Sequence, residues 1–368
     1  MASQTALILS GGGARGAYQV GVLKGLAEIL KKEKIENPFQ ILSGVSAGAI
    51  NSAKLATEIE NFDVAVEKLI HLWAQMTTEQ VFKTDFLSLN KFSLGLLGKQ
   101  KLNAILDTSP LRNLIQKNCD FTKIQKNLDR KVLDSLIITA NNYDLNSAVS
   151  FIQTNKKIVA WDESRRHAEL CDINSGHVMG SCAIPMLFPP IAINDNFFGD
   201  GCVRNNTPCS PSIRMGADKL FVIGVRSQMH SETMPAKKPL QPSLIRILNT
   251  LLNAVLLDSV EQDVFRIQRI NELVELTGSA ARQKNNLRRI EALCISPSQD
   301  IGEIARQQAH HLPRLLRMTI STFGHLDEAS EILSYLLFNP QFCRKLIDMG
   351  YEDAKSSKSA IHKFFEIG

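Results

Sequence analysis

The feature that most constrains this chain is a serine-centred turn, Gly44-Val45-Ser46-Ala47-Gly48. It follows the apolar run Phe39-Gln40-Ile41-Leu42 and opens the helix-like stretch Ala49-Ile50-Asn51-Ser52-Ala53. A strand that runs straight into a helix through G-x-S-x-G is a nucleophile elbow: glycine permits the tight backbone, and the serine hydroxyl stands at the helix N-terminus. Free N–H groups and partial positive charge at that end favour developing negative charge. The same five residues also describe an ordinary serine loop, so the rest of the chain has to decide.

The order of elements around the turn predicts the fold. Thr5 to Leu9 reads as a short buried strand. A glycine-rich turn follows, then a helix over 16–32 with Val20, Leu23, Leu26, Ala27 and Leu30 near helical spacing. Helical pattern covers Val64 to Trp73, and Val132 to Ala140 and Val149 to Ile152 read as strands flanking the turn Asn141 to Asp144. Pro211 to Gly216 is helical, and Lys219 to Val225 is the strongest buried-strand signal. Such alternation predicts an α/β sheet with helices on both faces. After Gln228 a polar linker containing Pro235, Lys237, Lys238, Pro239 and Pro242 leads into a mostly helical second half. There Ser243 to Leu276 reads as one long amphipathic helix and Glu291 to Ser296 as a strand. Ile301 to Phe365 reads as helices broken near Pro313, Gly324, Pro340 and Gly350. A lone strand at 291–296 needs a partner, and the first-half sheet is the available one. The expected organisation is a core over 1–228 with a helical region over 229–368 integrated into it.

Composition narrows the function classes. Of 368 residues, 44% are hydrophobic and 21% charged, which is globular. The net charge of +5 is spread along the chain, so nucleic acid is not implied, although weak attraction to anionic lipid is compatible with it. Cys119, Cys171, Cys182, Cys202, Cys209, Cys294 and Cys343 fall in no C-x-x-C spacing and read as reduced thiols without a metal site. The N-terminus carries no basic and apolar leader pattern, and no apolar run reaches the roughly 18 residues of a spanning helix. The expectation is a cytoplasmic chain, soluble or peripheral to a membrane, with export by a signal-free route left open.

Two readings compete for Ser10-Gly11-Gly12-Gly13-Ala14-Arg15-Gly16. Gly11, Gly13 and Gly16 satisfy G-x-G-x-x-G between a strand and a helix, as a dinucleotide site would. That site needs an acid closing the second strand, and Leu42-Ser43-Gly44 stands there instead. The alternative is an oxyanion hole in which bare glycine N–H groups converge on the attacked carbonyl oxygen, with Arg15 holding the loop or the anion. Ser46 needs a base. None of His71, His167, His177, His230, His310, His311, His325 and His362 lies in a setting that marks a triad member. Asp200, between Gly199 and Gly201 after Phe197-Phe198, can be exposed by a turn beside a pocket, or can simply form an Asp-Gly turn.

Taken in order, the blocks 11–16, 44–48, 181–190 and Asp200-Gly201 resemble the patatin-like phospholipases, specifically their bacterial members. Further similarity runs through 216–219 and 296–302, so the likeness covers nearly the whole chain. The resemblance implies a three-layer α/β/α sandwich of the patatin type with a mainly helical C-terminal extension packed on the core. It implies a Ser-Asp dyad: Ser46 as nucleophile, Asp200 as general base, and Gly11, Gly12, Gly13 and Arg15 as the oxyanion loop, with Gly44, Gly48 and Gly201 supporting the motifs. The implied activity is serine lipid acyl hydrolysis of phospholipid or lysophospholipid, of phospholipase A or lysophospholipase type, through an acyl-serine, with no metal or cofactor. A transacylase or esterase on other acyl esters remains open, as does a homodimer. A silent lipid-binding protein is disfavoured by the intact Ser46, Asp200 and glycine loop. The family has Gly or Ala after Asp-Gly, and this chain has Cys202, which bears on local packing.

Leu244 to Leu257, with Leu248, Leu251, Leu252, Val255 and Leu256, is the candidate for a lipid-facing lid or interfacial helix. The favoured expectation is a helix buried on the core or across a dimer. Lys237-Lys238, Arg288-Arg289 and Arg344-Lys345 are expected to be solvated surface.

Overall fold

The structure, a computed structural model, describes residues 4–83, 104–227, 241–256, 259–284, 287–322 and 324–367. Among the described residues ten strands form one sheet: β1 (Thr5–Leu9), β2 (Ile41–Val45), β3 (Ser135–Asn142), β4 (Ser147–Thr154), β5 (Asp162–Glu163), β6 (Arg166–Leu170), β7 (Ile191–Ile193), β8 (Asn196–Asp200), β9 (Lys219–Ile223) and β10 (Glu291–Ile295). Their order is β10-β9-β1-β2-β3-β4-β6-β5, with β8 lying antiparallel on β3 and β7 on β8. The central strands β9, β1, β2 and β3 are parallel neighbours.

Period-two alternation divides the apolar residues of these strands between two cores. Leu7, Leu9, Leu42, Phe221 and Ile223 face one core; Ala6, Ile8, Ile41, Leu220 and Val222 face the other. The first core is covered by α1 (Gly16–Lys32), α2 (Ala47–Glu58) and α3 (Phe62–Ala74). It also takes α4 (Ser175–Ser181), and from the C-terminal region α7 (Ser330–Leu336) and α8 (Pro340–Ser356). The second core is closed by Val260, Val264 and Ile267 of α6 (Ser259–Leu276). Helices therefore lie on both sides of a mixed sheet, as the sequence predicts.

β10 pairs in parallel with β9, from Glu291 opposite Lys219 to Ile295 opposite Ile223, so the strand read at 291–296 does join the first-half sheet. The described residues of 243–276 form α5 (Leu244–Leu256) and α6, and residues 257–258 between them lie outside the described residues. Two details differ from the sequence reading. Gly350 does not break a helix but lies inside α8, where the missing side chain admits α1. The second strand starts at Ile41, beyond Phe39. The linker over 228–240, with Lys237-Lys238, lies outside the described residues. No helix among the described residues is long and apolar enough to cross a membrane.

Candidate active site

Strand register builds the site. Leu9 stands opposite Gly44 on β2, Val45 opposite Thr139 on β3, and Ala140, the next residue of β3, opposite Asp200 on β8. The glycine loop that leaves β1, the Ser46 that follows β2 and the Asp200 that ends β8 therefore emerge together. The Ser46 side chain faces the Asp200 carboxylate and favours its charged form.

Ser46 has φ 54° and ψ −124°, a backbone conformation that costs a residue with a side chain and marks sites where function demands it. The surroundings hold it there. Its N–H donates to Ser181 Oγ at 2.9 Å, and that hydroxyl in turn donates to the Thr139 carbonyl at 2.6 Å. Its carbonyl accepts from the Ala49 N–H at 2.8 Å and from the Cys182 thiol at 3.1 Å. Gly44 and Gly48 let the turn close: a Cβ at Gly44 would lie 2.2 Å from the Gly48 carbonyl oxygen, and one at Gly48 2.1 Å from that of Leu9.

Asp200 is 1% exposed. Its N–H donates to the Ala183 carbonyl at 2.8 Å, and its Oδ1 accepts from the Cys202 N–H at 2.9 Å. Burial pushes the carboxyl up to about 6, against the opposing influence of Ser46 and of the backbone N–H and thiol of Cys202. A carboxylate tuned near 6 is ionised at neutral pH and still a useful proton acceptor. Gly201 begins the short turn Gly201–Val203 that turns the chain away from β8.

The glycine loop divides its labour. Gly11 lies against Cys202: a Cβ there would lie 2.2 Å from the Cys202 sulfur. Gly13 has φ 56°, and a Cβ there would lie 2.4 Å from the Tyr335 carbonyl oxygen. Among the described residues the N–H groups of Gly12 and Gly13 have no protein acceptor. Gly13 and Ser46 line one cavity of about 20 Å³, walled by Ile50, Trp73, Met76 and Phe338. Arg15 is buried and its guanidinium is committed: Nε donates to Ser334 Oγ at 2.8 Å, Nη1 to the Val225 carbonyl at 3.2 Å, and Nη2 pairs with Glu331. Its role in this geometry is to hold the loop to α7. A second brace is polar and buried: Gln19 donates to the Ser10 carbonyl at 2.7 Å, and Asn51 joins Gln19, Gly16 and Trp73.

No described histidine is a partner of Ser46 or Asp200. His177 caps α4, accepting the Asn174 N–H at 3.1 Å, and burial against Phe151 pushes its pKa down to about 4. Arg288, Arg289 and Arg344 bind the Ile213 and Ala217 carbonyls, Glu275 and the Ala74 carbonyl, and none of the three lines the Ser46 cavity. Sequence reasoning missed Thr139, Glu331, Ser334 and Tyr335. Ser181 stood inside a matching block, but nothing local marked its hydroxyl as the acceptor of the Ser46 amide. Chemically, the arrangement offers a hydroxyl on a strained turn, a buried carboxylate to take its proton, and bare amides beside it.

A family model described as patatin-like phospholipase matches residues 7–213, more than half of the chain. A probable lipid hydrolase of Invertebrate iridescent virus 6 is 27% identical over 209 residues, 56% of this chain and 63% of that protein. An uncharacterised protein of Acanthamoeba polyphaga mimivirus is 26% identical over 230 residues, 61% of this chain and 66% of that protein. The chain thus matches just under two thirds of the length of these relatives. Among solved structures, VipD from Legionella pneumophila is 12% identical with a TM-score of 0.37, covering 97% of this chain and 67% of that one. Human GIVD cytosolic phospholipase A2, solved with methyl gamma-linolenyl fluorophosphonate, is 12% identical with a TM-score of 0.41, covering 99% and 60%.

Proposed function

Because this chain belongs to the patatin-like phospholipase family, we propose that it is a lipid acyl hydrolase of phospholipase A or lysophospholipase type, working through a Ser46–Asp200 dyad like the family's bacterial members. The observation that carries the reading is the meeting of Ser46, on its strained turn, with the buried Asp200 carboxylate, which among the described residues has no cationic partner. Asp200 takes the hydroxyl proton as Ser46 Oγ bonds to the ester carbonyl carbon. The carbonyl electron pair moves onto oxygen, where the N–H groups of Gly12 and Gly13 receive it. Collapse expels the alcohol, which leaves with the proton from Asp200, and the acyl group stays on Ser46. Water, deprotonated by Asp200, then releases the fatty acid and restores the serine.

The walls around Ser46 suit an acyl chain: Ile50, Trp73, Met76, Val81, Leu111 and Phe338 are apolar. A cavity of about 20 Å³ holds little more than one water, so chain entry requires these walls to part. The substrate surface is a lipid aggregate met from the side of α5, which packs against the Gly201–Val203 turn. Fluorophosphonate labelling followed by mass-spectrometric site mapping tests the reading. Label on Ser46, lost together with ester hydrolysis in a folded Ser46→Ala protein, is the expected result. A folded Ser46→Ala protein that keeps full activity overturns it.

A further inference from the structure

On the sheet face opposite α1 and α2 lies a groove of about 650 Å³ that the proposed chemistry does not use. Its walls come from α6, from the segment between β4 and β5, and from the helical turn Ser210–Arg214. Four arginines line it, each fixed in place. Arg166 donates to Thr207 Oγ1 at 3.0 Å and to Glu163 at 2.7 Å. Arg214 shares Glu163 at 2.5 Å and lies 5.2 Å from the centre of the Trp161 ring. Arg288 donates to the Ile213 and Ala217 carbonyls and pairs with Asp218 at 3.1 Å.

Arg266 differs from these three. Among the described residues its direct hydrogen bond goes to a backbone carbonyl, Asn206 O at 3.1 Å. The acid facing it in the groove, Asp263, is buried and already accepts the Cys209 N–H at 2.9 Å. Four guanidinium groups against Glu163, Asp218 and Asp263 leave the groove with positive charge to spare. The rim is apolar: Val159 is 93% and Ile270 52% exposed, with Ile158 and Ile213 behind them. Aliphatic carbon left in water beside preorganised guanidinium groups complements a molecule with an anionic head and an apolar tail.

We infer that this groove binds a single-chain amphiphile bearing a carboxylate or phosphate head, separately from the Ser46 cavity. Arg266 receives the head, and Val159 and Ile270 cover the start of the chain. Fatty acid and lysophospholipid, the products of the proposed hydrolysis, share this chemistry. That link rests on the hydrolase reading, whereas the binding itself does not.

The test is calorimetry on the full chain carrying Ser46→Ala, so that nothing turns over, with decanoate, decyl phosphate, decanol and inorganic phosphate as separate probes. Binding of either ten-carbon anion, at least about tenfold tighter than decanol and inorganic phosphate, is expected, and the better head identifies the source. Arg266→Gln should weaken it about tenfold through loss of a charge-assisted bond. Ile270→Ser should weaken it about fivefold through lost apolar cover. With Ser46 in place, both groove variants should hydrolyse a short soluble ester at the unaltered rate. No binding, equal binding of decanol or of inorganic phosphate, or anion binding indifferent to both groove variants overturns the inference. None of these results touches the labelling of Ser46, which tests the hydrolase reading alone.

Discussion

An Asp200 carboxyl that titrates near 6 keeps its proton in the folded chain at pH values where an unfolded aspartate has already lost it. Between those two values stability falls as pH rises, because the folded state binds more protons than the unfolded one. The rise from an ordinary 3.8 to about 6 corresponds to about 3 kcal/mol of stability absent above pH 6. Asp200→Asn should therefore raise the melting temperature at pH 7.5 and lose that advantage as pH approaches 4, while turnover falls at least about 10²-fold. Calorimetry across pH beside ester hydrolysis checks both halves; an Asn variant whose advantage over the parent protein is no larger at pH 7.5 than at pH 4 contradicts the first. Cys202 refines the same group. Its N–H donates to the carboxylate, its thiol favours the charged form, and its sulfur lies against Gly11, so one residue ties the acid to the glycine loop. The other groups that sense Asp200 are the Cys182 thiol and the Tyr143 and Tyr335 hydroxyls, all neutral at working pH. Cys202→Ala removes a donor to the charged form while placing the residue type usual in the family. The acid limb of kcat/KM should then move to higher pH, with Cys202→Ser restoring it. An acid limb that stays put in the Ala variant contradicts this.

At the scale of elements, α5 is buried along one flank and open to solvent along the other, which leaves the outer flank as the candidate lipid-facing surface. Ile245 is 3% exposed, and Leu248 and Leu252 pack on the core. Leu244, Ile247, Leu251 and Val255 form an outer stripe, 61%, 45%, 58% and 40% exposed. The helix carries no acidic residue, and its one charged residue is Arg246. Hydrophobic spacing alone predicted an amphipathic helix here. It could not tell which flank would find a partner, because α7 and the Gly201–Val203 turn come from distant sequence. With Ile247 and Leu251 both changed to Ser, an exposed stripe loses apolar area but the core loses none. Hydrolysis of anionic vesicles should fall by about tenfold or more, at about 25 cal/mol per Å² of area no longer buried in lipid. Melting temperature and action on a soluble ester should hold. Equal loss on both substrates would assign the stripe to the fold instead. The same contrast applies to the strands: 5–9 and 219–223 were legible because both faces are buried and apolar. Arg15 was ambiguous, because its partners Glu331, Ser334 and Val225 lie more than two hundred residues away.

The whole molecule ties its last third to its first loop. α1 carries the glycine loop at its N-terminus, and α8 packs along it with almost no space between the backbones. A Cβ at Gly21 would lie 2.1 Å from the Ile347 carbonyl oxygen, and one at Gly350 2.2 Å from that of Tyr18. Each glycine thus makes room for the other helix, which explains why Gly350 does not end α8. α7, just before α8, reaches the loop directly: Glu331 and Ser334 hold Arg15, and the Tyr335 carbonyl abuts Gly13. A side chain at Gly21 must push α8 outward, and α8 is joined to α7 by only three residues, Leu337, Phe338 and Asn339. Phe338 also walls the Ser46 cavity. Overpacking of this kind costs about 1–3 kcal/mol. Gly21→Ala should lower the melting temperature and, at temperatures where the protein stays folded, reduce kcat more than it raises KM, because loop amides meet the oxyanion only along the reaction path. Gly350→Ala, made on the opposite helix, should do the same. Calorimetry together with steady-state kinetics on a soluble ester separates the outcomes: a destabilised protein with unaltered kcat in both variants would mean that the loop keeps its shape without α8, and that the contact serves stability alone.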